Sequence, residues 1–141
     1  MLCLSPQCAD TAGASVTIPH KQAVIPLLNE LSVEAAAIGA VNTVIRRHDG
    51  TLYGHNTDWI GIQEPLQAAL ACLPPPRLPH AKHTVLVIGA GGTARAAAYA
   101  VTRMSDCRLL VFNRTTAKVR CLMDVSAVVP CSHTVVDVTG K

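Results

Sequence analysis

The residues best suited to chemistry fall in two groups, a glycine-rich run and a separated Lys and Asp. The run is Gly89-Ala90-Gly91-Gly92-Thr93-Ala94, of G-x-G-x-x-A form. In such a run Gly89 permits a tight turn and Gly91 lets backbone amides approach a pyrophosphate. Ala94 keeps the following helix close to its strand, and the helix N-terminus attracts the anion. An ordinary strand-to-helix turn also uses glycine, so the flanks decide. Thr84 to Ile88 is a continuous apolar strand and Thr93 to Met104 is Ala-rich and helical, the setting that a dinucleotide fingerprint requires.

A second predicted strand, Arg108 to Phe112, ends in Asn113-Arg114-Thr115 with no carboxylate. NAD sites place an Asp or Glu near this point, about 20 residues past the glycines, whereas NADP sites place an Arg. Arg114 can pair with a phosphate, Asn113 and Thr115 can hydrogen-bond it, and Lys118 adds charge. The expected cofactor is therefore NADP.

Lys21 and Asp58 form the other group. Pro19 suits the first position of a helix, which would put Lys21 in the first turn. There the helix dipole disfavours a cation, an arrangement suited to proton transfer. Taken alone, Lys21 reads more simply as an exposed surface lysine, Asp58 as a helix N-cap and His20 as a surface or packing histidine.

The elements that must position these residues follow from composition and punctuation. The chain has 141 residues, 50% hydrophobic but only 3% aromatic, and 15% charged, against roughly 25% charged in an average domain. That balance excludes a disordered chain and suits the doubly buried elements of an α/β protein. The net charge of +3 comes from dispersed side chains without stacked aromatics, so no nucleic-acid partner is expected. No uncharged apolar run is long enough to span a membrane, and Met1 to Asp10 does not read as a signal peptide. The six cysteines show neither C-x-x-C nor zinc spacing with histidine. They read as reduced thiols in a cytoplasmic protein with no metal site.

Leu73 to His83, holding four of the nine prolines, reads as an extended connector. It divides the chain into a segment 1–72 and a segment 84–141. In the first, Ala14 to Ile18 is predicted as a strand. A helix from Pro19 follows, with an apolar stripe of Val24, Ile25, Leu27, Leu28 and Leu31 interrupted by Pro26. Ser32 is expected to cap a short helix through Ala37. Val41 to Arg46 and Thr51 to His55 should pair as a hairpin about His48-Asp49-Gly50. Thr57 or Asp58 should cap a helix to Cys72, with Pro65 implying a kink or a late start. In the second segment the pattern predicts a parallel β-α-β unit, with Thr134 to Val138 as a further strand.

Read together, the motifs carry more than each alone. Ser15-Val16-Thr17-Ile18-Pro19-His20-Lys21, then Ile38-Gly39-Ala40-Val41-Asn42-Thr43, then Gly54-His55-Asn56-Thr57-Asp58 closely resemble the shikimate dehydrogenase family. The Gly-Ala-Gly-Gly and Asn-Arg-Thr elements follow in the family's order, so the resemblance runs from about Gly13 to Lys118. The wording looks most like the shikimate dehydrogenase portion of fungal pentafunctional AROM proteins. Quinate dehydrogenases and quinate-pathway regulators look similar.

The resemblance implies an α/β fold in which a partial substrate domain joins an incomplete Rossmann-type NADP-binding domain. It implies reduction of 3-dehydroshikimate to shikimate with NADPH, in aromatic amino-acid (chorismate) biosynthesis. By the same resemblance Lys21 and Asp58 are the catalytic pair, and Thr17 and Asn42 hold substrate hydroxyls with them. The cofactor contacts implied are Gly89, Ala90, Gly91, Gly92, Thr93, Ala94, Asn113, Arg114, Thr115 and Lys118. The family's Ser-x-Ser substrate motif has no counterpart before Thr17, and the family continues beyond Lys141. The chain is thus expected to be truncated at both ends, in keeping with a place in a larger multifunctional polypeptide; the oligomeric state is left open. Two rival expectations are NAD-dependent quinate/shikimate oxidation and a non-catalytic regulatory module of the same fold.

Overall fold

The computed structural model describes residues 11–74, 82–115, 117–120 and 122. Met1 to Asp10, most of the connector, and the strand expected at Thr134 to Val138 lie outside them. Among the described residues the chain forms two sheets. Strands β1 (Gly13–Ser15), β2 (Glu30–Leu31), β3 (Thr43–Arg46) and β4 (Leu52–His55) make a four-stranded sheet in the order β1-β3-β4-β2. Strands β5 (His83–Ile88) and β6 (Cys107–Phe112) make a parallel pair. The helices α1 (Val33–Ile38), α2 (Asp58–Ala71) and α3 (Gly92–Thr102) accompany them, and the described residues 117–120 are helical as well. No helix among the described residues is long and apolar enough to cross a membrane. The mixed α/β architecture is that of the expected fold class.

The hairpin forms as its turn chemistry requires. β3 and β4 pair antiparallel with Thr43 opposite His55 and Arg46 opposite Leu52. The turn closes through the Gly50 N–H to the Arg47 carbonyl, with Gly50 at φ +83°. β1 pairs antiparallel with β3, and the two-residue β2 lies parallel to β4. Ser32 caps α1, its hydroxyl accepting from the Ala35 amide at 3.0 Å. Gly39 ends the helix in the left-handed region at φ +66°.

The helix expected from Pro19 is absent. The Ile18–Pro19 peptide bond is cis, residues 18–24 form successive turns, and only a 3-10 helix at Ile25–Leu27 follows. The reason is where the backbone carbonyls find donors. In a helix the Lys21 carbonyl would accept from the Ile25 amide; here it accepts from Val41 at 2.7 Å, and Ile25 donates instead to Gln22. Pro26 has no N–H to offer Gln22 in any case. Most of the expected apolar stripe still turns inward, Val24 being buried with Val16, Ala35, Val41 and Val44 and flanked by Ile25, Leu28 and Leu31, whereas Leu27 is exposed. The expected strand Ala14 to Ile18 is likewise shorter, ending at Ser15.

From His83 to Phe112 the elements match the expected β-α-β pattern to within two residues. One face of the parallel pair, with Val87, Leu109 and Val111, packs on Ala98 and Val101 of α3. α2 joins the halves. It starts at Asp58 in spite of Pro65, and its half-buried stripe runs Trp59, Ile62, Leu66 and Leu70 at helical spacing. Trp59 and Ile62 pack on a cluster of Ile38, Ala40, Ala96 and Tyr99, which fills the seam between α1, α2 and α3.

Candidate active site

Lys21 and Asp58, 37 positions apart in sequence, meet at one point. The Lys21 ammonium donates to Asp58 Oδ2 at 2.5 Å, and their side chains are only 12% and 21% exposed. A charge-assisted bond of that length, partly shielded from water, holds the ammonium in one direction. The same Nζ lies 3.3 Å from Thr93 Oγ1, at the start of α3. The pair therefore faces the dinucleotide-type loop, and since no helix begins at Pro19, the helix-start position expected for Lys21 is not the one it occupies.

Asp58 is braced from two sides. Asn42 Nδ2 donates to Asp58 Oδ1 at 2.7 Å and to Thr57 Oγ1 at 2.9 Å. Asn42 Oδ1 accepts from the Thr57 amide at 3.0 Å and from the Thr43 hydroxyl at 2.8 Å. All four hydrogen-bonding positions of this amide are thus used within the protein, so a substrate hydroxyl reaching Asn42 must replace one of them. Thr17 is exposed two residues past β1, and its carbonyl closes the turn to His20.

Neither expected side chain caps α2. Thr57 makes no cap bond, and the Asp58 carboxylate is turned to Lys21 and Asn42. The Asp58 amide is taken instead by Oδ1 of Asn56 at 3.0 Å, while Asn56 Nδ2 donates to the Ala40 carbonyl at 2.9 Å. Asn56 is fully buried and was missed in the sequence. Its signal was an Asn two residues before a helix start, where the side chain closes an Asx turn.

The second group of residues assembles separately. Ala90, Gly91, Asn113, Arg114, Thr115 and Lys118 line a groove of about 290 Å³, together with Gln22 and Arg95. Gln22, next to Lys21, is the one contribution from the first segment that sequence reasoning overlooked. Gly89 begins the loop at φ +115°, a conformation that favours glycine, and its amide donates to the Phe112 carbonyl at 2.7 Å. That bond ties together the ends of β5 and β6, from which the groove's polar groups come. Asn113 Nδ2 donates to the Thr115 carbonyl at 3.0 Å and shapes the basic turn.

The groove suits the phosphate-bearing end of a dinucleotide. Gly91 has open space where a Cβ would stand, so an anion can approach its backbone. Gly91 is also the N-cap of α3, whose first amides point outward. Arg114 and Lys118 supply positive charge to the same groove. No group of three or more His, Cys, Asp or Glu among the described residues could hold a metal ion.

Comparison with known proteins places this geometry in context. The family model described as the shikimate dehydrogenase substrate binding domain matches residues 5–44. A pentafunctional AROM polypeptide from Mycosarcoma maydis is 49% identical over 113 residues, covering 77% of the chain and 6% of the polypeptide. The crystal structure of shikimate 5-dehydrogenase from Thermus thermophilus in complex with NADP(H) and shikimate superposes with a TM-score of 0.65 at 35% identity. It covers 89% of this chain and 42% of the other. Quinate dehydrogenase from Corynebacterium glutamicum in complex with NAD superposes with a TM-score of 0.74 at 35% identity, covering 94% of this chain and 45% of the other. The chain thus spans less than half the length of each of these relatives.

Proposed function

We propose, for a chain related in sequence and fold to the shikimate dehydrogenases, the NADP-dependent interconversion of 3-dehydroshikimate and shikimate. The single observation that carries this reading is the Lys21–Asp58 pair facing the first turn of α3 through Thr93. Segment 1–72 is then the substrate side, 84–141 the cofactor side and 73–83 their connector. In the reducing direction Lys21 Nζ gives a proton to the carbonyl oxygen as it becomes a hydroxyl; in the oxidising direction it takes that proton back. Asp58 holds the ammonium in line and neutralises it, and Asn42 keeps the carboxylate turned toward Lys21. Thr17 orients a neighbouring substrate hydroxyl, and Asn42 engages one only by giving up one of its present partners.

A nicotinamide dinucleotide, when bound, supplies or accepts the hydride. The loop 89–94 would hold its pyrophosphate. Asn113, Arg114, Thr115 and Lys118 would hold the 2′-phosphate that distinguishes NADP. By the same reading the protein works in the cytoplasm and, like its AROM relative, within a larger multifunctional polypeptide.

The test is steady-state oxidation of shikimate and of quinate, each with NADP+ and with NAD+, on the chain and its Lys21→Ala variant. The expected outcome is shikimate turnover with NADP+, lowered by about 10²–10⁴-fold in K21A while NADPH affinity stays near wild type. Turnover of quinate with NAD+ would favour the second reading, which the NAD-bound quinate dehydrogenase neighbour supports. Shikimate binding without any turnover would make the chain a sensing module.

A further inference from the structure

Three separate contacts of the candidate site refer back to one short stretch, residues 38–41. The Val41 amide donates to the Lys21 carbonyl at 2.7 Å. The Ala40 carbonyl accepts from Asn56, whose other end holds the first amide of α2 beside the Asp58 carboxylate. The Ile38 carbonyl accepts from Arg95 Nε at 2.8 Å. Lys21, Asp58 and the first turn of α3 are therefore all registered against the C-terminal end of α1.

Arg95 is the least expected member of this set. A guanidinium is rarely buried without a specific partner, yet Arg95 is only 6% exposed. It approaches a carbonyl that α1 leaves without an intrahelical donor. The two halves make room for each other with glycine: a Cβ on Gly39 would stand 2.8 Å from Arg95 Nη2, and one on Gly92 would stand 3.0 Å from Lys21 Cβ. Thr93, two residues before Arg95 on the same helical turn, carries the hydroxyl 3.3 Å from Lys21 Nζ. A helical turn is stiff, so whatever fixes the guanidinium fixes Thr93.

We infer that Arg95 is a positioning residue, acting through Ile38 and Gly39 to hold the first turn of α3, and with it Thr93 and Gly92, against Lys21. It sets the spacing between the cofactor loop and the proton-transferring amine. The kinetic part of this inference rests on the dehydrogenase reading; the structural part does not.

The sole tryptophan provides an independent readout. Trp59 on α2 packs edge-on against Tyr99 of α3 with ring centroids 5.4 Å apart, inside the same seam. Arg95→Lys keeps the charge but loses the planar fork. In R95K, Trp59 emission should shift to the red and acrylamide quenching should increase below the melting transition. Turnover per folded molecule should fall about ten- to a hundredfold, since misplacement of about 1 Å is that costly, with KM for shikimate nearly unchanged. Gly39→Ala presses on the same guanidinium from the α1 side and should give the same signature, so the question remains decidable if R95K does not fold.

A lowered melting temperature with wild-type quenching and wild-type turnover per folded molecule would overturn the inference and leave Arg95 a purely structural residue. Absence of turnover in the unmodified chain would count against the dehydrogenase reading alone. The Trp59 arm would then still decide whether Arg95 holds the seam.

Discussion

Around the groove, Ala90 and Gly91 follow β5 and Asn113, Arg114 and Thr115 follow β6 at the ends of adjacent parallel strands, with Lys118 just beyond, Arg95 from α3, and Gln22 alone from the first segment. At the Lys21 corner the contributors are a run of turns, the strand β3 approach at Asn42, and the start of α2. The groove is built locally, by a β-α-β unit whose own hydrogen bonds and Leu109–Val111 core hold it. The corner is built by long-range contacts, each tied to residues 38–41 or to Asn42. A local site tolerates changes elsewhere in the chain. A site assembled from distant segments depends on every one of them.

The largest contrast should come from Asp58→Ala. It removes the acceptor 2.5 Å from Lys21, so turnover should fall about 10²–10⁴-fold while NADPH binding, measured by fluorescence titration, changes little. Equal losses in both would mean that corner and groove are one unit. Leu109→Ala acts from the other side. Leu109 is 1% exposed in the core beneath α3, and truncating such a side chain costs about 2–5 kcal/mol. Urea unfolding should show that loss, with turnover per folded molecule retained.

Arg114→Leu tests the groove's selectivity. A hydrogen bond to a charged group contributes about 1.5–3 kcal/mol, so NADPH binding should weaken by about ten- to a hundredfold. NADH binding, followed in the same titration, should hardly change. A parallel loss of NADH affinity would show that Arg114 does not read the 2′-phosphate.

The smallest effect concerns the thiols. Burial, aided by the neighbouring Asp106 charge, pushes the Cys107 thiol above its ordinary range. Cys72, by contrast, is exposed. Mass-spectrometric mapping of iodoacetamide labelling should find Cys72 modified quickly and Cys107 only on unfolding. A pKa raised in the folded state means that the fold holds the proton more tightly than the unfolded chain does. The associated stability is complete below the unfolded thiol value of about 8.5 and is lost as pH climbs through the higher folded value. The contribution of this thiol should therefore lower urea midpoints on the alkaline side.

Much of this molecule was legible without coordinates where neighbours in sequence are neighbours in space. The strand-glycine-helix-strand pattern of 84–112, the hairpin about Gly50 and the Ser32 cap each rest on a handful of adjacent residues. They formed within two positions of expectation. The prolines were the misleading letters. Pro65 stands inside α2, where its missing amide and exposed surface are accommodated. Pro19 opens turns and not a helix, and the Thr57 and Asp58 side chains do not cap the helix they begin.

The amino-acid sequence by itself determined the glycine loop, the polar turn at Asn113, Arg114 and Thr115, and the hairpin about Gly50. These are properties of residue type and short-range backbone preference. Only the tertiary structure decided that Lys21 and Asp58 touch, that Asn42 is spent bracing the carboxylate, and that a buried arginine joins α3 to α1. Each depends on a donor or acceptor tens of residues away: the Lys21 carbonyl, free to begin a helix, found the Val41 amide instead. Local patterning cannot foresee that exchange, because a backbone carbonyl carries the same preference whichever amide reaches it first.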